Sequence, residues 1–258
     1  MYWQEISGSW VLIPRQPVGI IHFLGGAFVA TAPNITYRWL LENLGKSGYA
    51  VVATPFVNTL DHRAIALNVL NRFESILERL QSTGKLKLGY LPIYGMGHSM
   101  GCKLHLLIGS LFEVEREGNI LISFNNYPVK RAIPFIEPLA LDVKTLNLEF
   151  VPSPEETQDL ISENYLVRRN LLIRFSNDDI DQTNILNPIL NSRYPNMIAL
   201  LNLPGNHLTP LGQDIDWKAG EIFTPFDAVG QWIKKEFSRD IYRLRDEVLR
   251  WLNPEKFL

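Results

Sequence analysis

Gly97-His98-Ser99-Met100-Gly101 lies between a short apolar run, residues 91–94, and a segment whose apolar residues recur at helical spacing, residues 102–112. A serine in a Gly-x-Ser-x-Gly turn between a strand and a helix sits at the apex of a sharp bend with its hydroxyl exposed. The backbone N–H of the next residue is then free to bind an oxyanion. The pattern therefore predicts a nucleophile elbow with Ser99 as nucleophile and Met100 as one oxyanion donor.

On both sides of this turn, apolar runs of strand length alternate with segments of helical period, which is typical of a parallel sheet covered by helices on both faces. Strands are expected at residues 10–14, 19–24, 50–56, 91–95, 120–124, 171–175 and 197–203. Helices are expected around residues 37–44, at 61–82 with Asp61 as N-cap, from residue 153, near residue 183, and in two amphipathic stretches, 229–237 and 241–252. The sequence predicts one α/β domain over residues 1–258.

One segment breaks the alternation. Residues 125–170 contain four prolines before the acidic helix start at residues 153–156. An insertion between two strands that flank the elbow is expected to form a cap over the pocket and to contribute to substrate selectivity.

Composition excludes several classes of function. The 25 basic and 27 acidic residues give a net charge of −2 without charged blocks, so a nucleic acid partner is not expected. The single cysteine, Cys102, rules out an internal disulfide framework and fits a reducing compartment. No apolar stretch approaches the roughly 20 residues that span a bilayer, and no leader is evident, so a cytoplasmic location is expected. No metal or cofactor is predicted, and the oligomeric state stays open.

A nucleophilic serine needs a base and an acid that orients the base. The rest of the chain must therefore supply a histidine and a carboxylate. In the α/β-hydrolase arrangement these come in the order Ser, Asp or Glu, then His, each after a strand. Asp178 follows the strand at 171–175, with Asp179 as the alternative acid, and His207 follows the strand at 197–203. Elimination among the five histidines also favours His207.

The second oxyanion donor is expected in the turn after the strand at 19–24. There the paired glycines of Gly25-Gly26-Ala27-Phe28 allow the backbone to approach a ligand closely. Either Gly26 or Ala27 could supply the N–H. The candidate substrate-binding residues are Asn125, Phe28 and His98.

Several segments together resemble one family, the DUF1350 proteins of cyanobacteria and plant plastids, which are α/β-hydrolase-like. They are residues 22–28, 37–41, 61–62, 97–104, 123–126, 178–183 and 205–210. The resemblance implies the α/β-hydrolase fold and a cyanobacterial or plastid setting, and it implies no particular substrate. It also draws attention to two polar pairs, Asp61-His62 and Asn125-Asn126.

The expected function is that of a serine hydrolase acting on an ester or thioester through an acyl-enzyme intermediate. The expected partner is a small-molecule acyl substrate, with a lipid preferred because apolar residues lie next to the inferred site. The alternative is a non-catalytic binding module for a lipid, a pigment or a protein, since a fold does not determine a function.

Overall fold

One sheet organises the part of the chain that the computed structural model describes, namely residues 1–27, 29–86, 90–129, 148–211 and 238–257. In these ranges eight strands have the order β1-β2-β4-β3-β5-β6-β7-β8. The pairs β1/β2 and β2/β4 are antiparallel and the others are parallel. The predicted mostly parallel sheet is confirmed.

The strands are β1 (Gln4–Ile6), β2 (Ser9–Leu12), β3 (Gly19–Leu24), β4 (Tyr49–Ala53), β5 (Ile93–His98), β6 (Gly118–Ile122), β7 (Asn170–Asn177) and β8 (Ile198–Asn206). The helices are α1 (Pro33–Thr36), α2 (Arg38–Lys46), α3 (His62–Ser82), α4 (Met100–Leu111), α5 (Pro154–Asn164), α6 (Thr183–Arg193) and α7 (Ser238–Leu252). Two 3₁₀ turns follow β8 and α7, at Thr209–Leu211 and Pro254–Phe257.

Helices cover both faces of the sheet. Side chains alternate along a strand, so Ile21 and Phe23 of β3 pack with α2 and α7 on one face. Ile20 and Leu24 of the same strand pack on the opposite face, where α3 and α4 lie. The central strands are buried on both sides, as is typical of parallel sheets, and their carboxyl ends form the edge at which the candidate site lies.

The predicted helix ends are confirmed where a side chain caps the backbone. Asp61 accepts a hydrogen bond from the Ala64 N–H at 2.8 Å at the start of α3. Ser153 and Glu156 form a capping box at the start of α5. The last amphipathic stretch is confirmed as α7, which packs on the sheet. The stretch at 229–237 lies outside the described residues.

Strand β5 differs from its prediction, since it runs on to His98 through two glycines that reduce strand propensity. Both are required by close packing. A Cβ on Gly95 would lie 2.2 Å from Asn119 Oδ1, and one on Gly97 would lie 2.5 Å from the backbone N of Cys102. Short β1 has no prediction, because three residues carry too little periodicity.

The insertion predicted at 125–170 is described in part, since residues 130–147 lie outside the described residues. Its helix α5 packs beside α4, with Ile161 and Tyr165 against Leu106. Within the described ranges, no helix is both long enough and apolar enough to cross a bilayer.

Candidate active site

The turn between β5 and α4 holds Ser99 in an unusual backbone conformation. Its φ is 55° and its ψ is −119°, a region that residues with side chains rarely adopt and that is found at functional sites. The Ser99 N–H donates to the carbonyl of Ile122 at 2.9 Å, which ties the turn to the end of β6. The serine is thus held at the carboxyl edge of the sheet in the geometry expected of a nucleophile elbow.

Asp178 and His207 come together at the same edge. His207 Nδ1 donates to Asp178 Oδ2 at 2.9 Å, and the Asp178 side chain has no exposed surface. Burial alone would raise the pKa of Asp178, but the hydrogen bonds that its carboxylate accepts, first of all from His207, outweigh burial and hold the pKa below its usual value. Because an ionised carboxylate only accepts, Nδ1 carries the proton and Nε2 remains able to take one.

The neighbouring aspartates face elsewhere. Asp179 is exposed, and its side chain has no hydrogen bond among the described residues. Asp181 Oδ1 accepts from the N–H of Thr183 at 3.0 Å and from its hydroxyl at 2.5 Å, at the start of α6. The structure therefore brings Asp178, and not the alternative acid, against His207.

The Ser99 hydroxyl has a different partner. Asn125 Nδ2 donates to Ser99 Oγ at 2.8 Å, so the structure brings the predicted substrate-binding residue Asn125 to Ser99. Within the described ranges, Ser99 Oγ has no hydrogen bond to His207. Such bonds are often long in ligand-free enzymes and shorten when substrate binds.

The predicted oxyanion donors differ in whether their N–H groups are free. Met100 is the first residue of α4, so its N–H has no acceptor within the helix. The Gly26 N–H donates to the Tyr37 hydroxyl at 2.8 Å and is not free. The Ala27 N–H has no acceptor in the described part of the chain, so Ala27 is the better candidate. Phe28, the predicted apolar contact, lies outside the described residues.

Sequence analysis missed the Tyr37 relay, a chain of hydrogen bonds that joins Gly26, Tyr37, His98 and His207. The Tyr37 hydroxyl donates to His98 Nδ1 at 2.7 Å, and His98 Nε2 donates to the His207 carbonyl at 2.9 Å. Burial lowers the pKa of His98 to about 3, so the ring is neutral, with one donor and one acceptor nitrogen, as this relay requires. Both nitrogens of His98 bond to protein groups, so neither is free for the substrate contact predicted for this residue.

The relay connects three parts of the site: the loop of Gly26, the elbow and the loop of His207. No local pattern around Tyr37 signals it, because its partner His98 lies 61 residues away. Among the described residues, no group of three or more His, Cys, Asp or Glu side chains could hold a metal ion.

A family model described as Protein of unknown function (DUF1350) matches residues 2–254. The chain belongs to the DUF1350 family. No functionally curated protein matches it significantly.

Solved structures similar to this DUF1350 protein share little sequence with it. A soluble variant of monoglyceride lipase from Saccharomyces cerevisiae, in complex with a substrate analog, has 13% identity and a TM-score of 0.59, covering 98% of this chain and 94% of its own. FphF, a fluorophosphonate-binding serine hydrolase of Staphylococcus aureus, has 13% identity and a TM-score of 0.56, with 88% and 92% covered. Est1E from Butyrivibrio proteoclasticus has 15% identity and a TM-score of 0.52, covering 97% of this chain and 98% of its own. The likeness shows the predicted α/β-hydrolase fold.

The relay predicts the effect of removing one hydroxyl from this DUF1350 protein. Tyr37→Phe leaves the Gly26 N–H and His98 Nδ1 without partners in a buried site, so we expect a loss of about 1–3 kcal/mol in the free energy of unfolding. The matched control is Tyr49→Phe, because Tyr49 is also buried in this core and its hydroxyl has no hydrogen bond in the described ranges. Urea unfolding measures both variants, and equal effects would contradict the relay.

Proposed function

We propose that this DUF1350 protein is a serine hydrolase that cleaves carboxylic esters or thioesters through an acyl-enzyme intermediate. The observation that carries the proposal is the partly buried Asp178–His207 hydrogen bond at the same sheet edge as the strained Ser99 turn. A neutral histidine held in one tautomer by a carboxylate is what a serine nucleophile needs as its base.

In the proposed reaction, Ser99 Oγ attacks the acyl carbon while His207 Nε2 takes the hydroxyl proton. The N–H groups of Met100 and Ala27 stabilise the oxyanion of the tetrahedral intermediate. His207 then gives its proton to the leaving alcohol or thiol. A water molecule, deprotonated by His207, attacks the acyl-enzyme and releases the acid, and the proton returns to Ser99.

Asn125 is proposed to hold the Ser99 hydroxyl in the free protein and to exchange this contact for the substrate carbonyl. For the acyl group, a lipid is the preferred class. Ala27 and Met100, the two oxyanion donors, belong to an apolar cluster that includes Phe56 and Leu104, so an apolar chain would find apolar neighbours there. The proposed location is the cytoplasm, in a cyanobacterial setting.

A non-catalytic binding module is the second candidate, because Ser99 Oγ is bonded to Asn125 and not to His207. In such a module the pocket would hold a ligand and no acyl-enzyme would form. The two candidates differ in one chemical property, the reactivity of Ser99.

Labelling with a fluorophosphonate probe, followed by mass spectrometry to locate the adduct, tests the proposal. We expect an adduct on Ser99 that disappears in Ser99→Ala and falls sharply in His207→Ala. Ser176→Ala is the control, because Ser176 is an exposed serine near the same edge, and its loss should leave labelling unchanged. Failure of several such probes to label Ser99 would favour the binding module.

A further inference from the structure

Two buried basic side chains, Lys103 and His62, meet beside the site and have no role in the proposed mechanism. Lys103 lies on α4, four residues after Ser99, and His62 is the first residue of α3. Their exposed fractions are 2% and 3%. Lysine is almost never buried to this degree without a partner of opposite charge, so the pair calls for an explanation.

The hydrogen-bonding capacity of this pair is mostly unused. Neither ring nitrogen of His62 has a partner among the described residues. Lys103 Nζ, which has three protons to donate, has one bond of 3.3 Å to the carbonyl of Pro152. The charge of Glu155 acts to raise the pKa of Lys103, but in the described ranges the two side chains form no ion pair. Among the described residues, Lys103 and the ring N–H of His62 therefore lack acceptors, and the other nitrogen of His62 lacks a donor.

Both basic groups are held against one aromatic ring. The His62 ring stacks on Phe150 with centroids 4.3 Å apart, and Lys103 Nζ lies 5.7 Å from the centroid of the same ring. Burial lowers the pKa of Lys103 to about 7 and that of His62 to about 3. An anion next to both groups would supply the missing acceptor and favour the charged form of Lys103.

A series of contacts connects the pair with Ser99. Lys103 lies one helical turn after Ser99 on α4, and side chains on a helix lean toward its N-terminus. Lys103 donates to the carbonyl of Pro152. Two residues further along the chain, the carbonyl of Pro154 accepts a hydrogen bond of 2.8 Å from Asn126 Nδ2. Asn126 directly follows Asn125, which binds the Ser99 hydroxyl. A short chain of contacts therefore joins Ser99 to the Lys103–His62 pair.

We propose that Lys103 and His62 bind an anionic group, a carboxylate or a phosphate, carried by the substrate on which Ser99 acts. This inference rests on the proposed function for the nature of the substrate. Lys103 supplies the charge and N–H donors, and a His62 ring N–H supplies a further donor. The substrate class is then an ester or thioester with an acidic group near the scissile bond, attached to an otherwise apolar chain.

A pair of esters tests the substrate assignment. p-Nitrophenyl butyrate and the mono-p-nitrophenyl ester of succinic acid have acyl chains of the same length, and only the second ends in a carboxylate. We expect Lys103→Met and His62→Gln to lower the kcat/KM for the succinyl ester about 10- to 100-fold relative to the butyryl ester. Arg63→Met is the matched control, because it removes an exposed positive charge next to His62 and should leave the ratio unchanged.

A binding measurement separates this inference from the catalytic proposal. In Ser99→Ala, which cannot form an acyl-enzyme, inorganic phosphate and succinate are each expected to raise the thermal unfolding temperature. This rise should disappear when Lys103→Met or His62→Gln is added, and should persist with Arg63→Met. Circular dichroism checks that each variant is folded. If Lys103→Met does not fold, His62→Gln alone tests whether the rise depends on the pair.

The outcomes are distinct. Labelling of Ser99 without any anion effect would overturn the inference and leave the hydrolase proposal standing. Anion binding that needs Lys103, in a protein whose Ser99 does not react, would keep the anion site and overturn the proposed hydrolase. Binding of free phosphate without a preference for the succinyl ester would overturn the assignment of the site to a substrate group.

Discussion

Asp178→Asn is expected to lower the kcat for ester hydrolysis about 10⁴-fold, whereas Asp179→Asn should change it less than about twofold. The two residues are adjacent and both are aspartates, so each substitution removes the same carboxylate. A difference in rate between the variants therefore comes from the position of the carboxylate and not from the loss of an acid in general. Only the Asp178 carboxylate reaches His207, at 2.9 Å, while Asp179 is exposed.

The physical reason is the histidine tautomer. An asparagine at position 178 can present its NH₂ group to His207 Nδ1, which then accepts, so the ring proton moves to Nε2. With Nε2 protonated, His207 can no longer take the proton from Ser99. The geometry is otherwise kept, and the loss should therefore appear in kcat and not in KM.

Steady-state kinetics on a chromogenic ester gives the rates of both variants, and nitrogen NMR of the histidine rings reports the tautomer. A large loss in Asp179→Asn, or equal losses in both, would mean that the acid at His207 differs from the one in the structure. An unchanged rate in Asp178→Asn would remove His207 from the role of a carboxylate-oriented base.

Much of the fold could be predicted, and so could the order in which the candidate site residues follow the strands, because both depend on local patterns. Apolar runs of strand length mark the parallel strands, whose carboxyl ends meet at one edge of the sheet. Residues that follow those strands, here Ser99, Asp178 and His207, are therefore expected to be neighbours whatever the loops between them do. That prediction needs only the order of strands and turns.

The sequence favoured Asp178 but left Asp179 open as the alternative acid, because the choice depends on the exact end of β7. This strand runs to Asn177, and its pairing with β8 shifts register between Phe175 and Asn177. Such an irregularity re-aims the following side chains, and nothing in the local sequence specifies it.

The Tyr37 relay and the Lys103–His62 pair were beyond sequence analysis for a related reason. Each joins residues from different elements, and tertiary packing alone decides which hydroxyl or amine meets which ring. Likewise, Gly26 and Ala27 are equivalent as backbone donors until the Tyr37 hydroxyl is seen to occupy one of them.

Gly101→Ala is the second change with a large expected effect, on stability as well as on activity. Gly101 lies in α4, where alanine is intrinsically better than glycine by about 1 kcal/mol, so propensity alone predicts a more stable protein. A Cβ at this position would lie 2.0 Å from the carbonyl oxygen of Leu24 and 2.9 Å from that of Gly25. Backbone atoms cannot rotate away, and β3 or α4 must shift. We expect a net loss of about 3 kcal/mol in the free energy of unfolding.

Activity should fall together with stability, because the backbone that would be displaced leads directly to Ala27. Moving the proposed oxyanion donor Ala27 away is expected to lower kcat about 10²- to 10³-fold. Gly45→Ala is the matched control: it is also a helical glycine, but its Cβ would meet the end of the Met1 side chain, which can rotate away. Gly45→Ala should therefore be neutral or stabilising. Urea unfolding and ester kinetics on both variants check the pair. Equal stabilisation by the two would contradict the close contact between α4 and the backbone of Leu24 and Gly25.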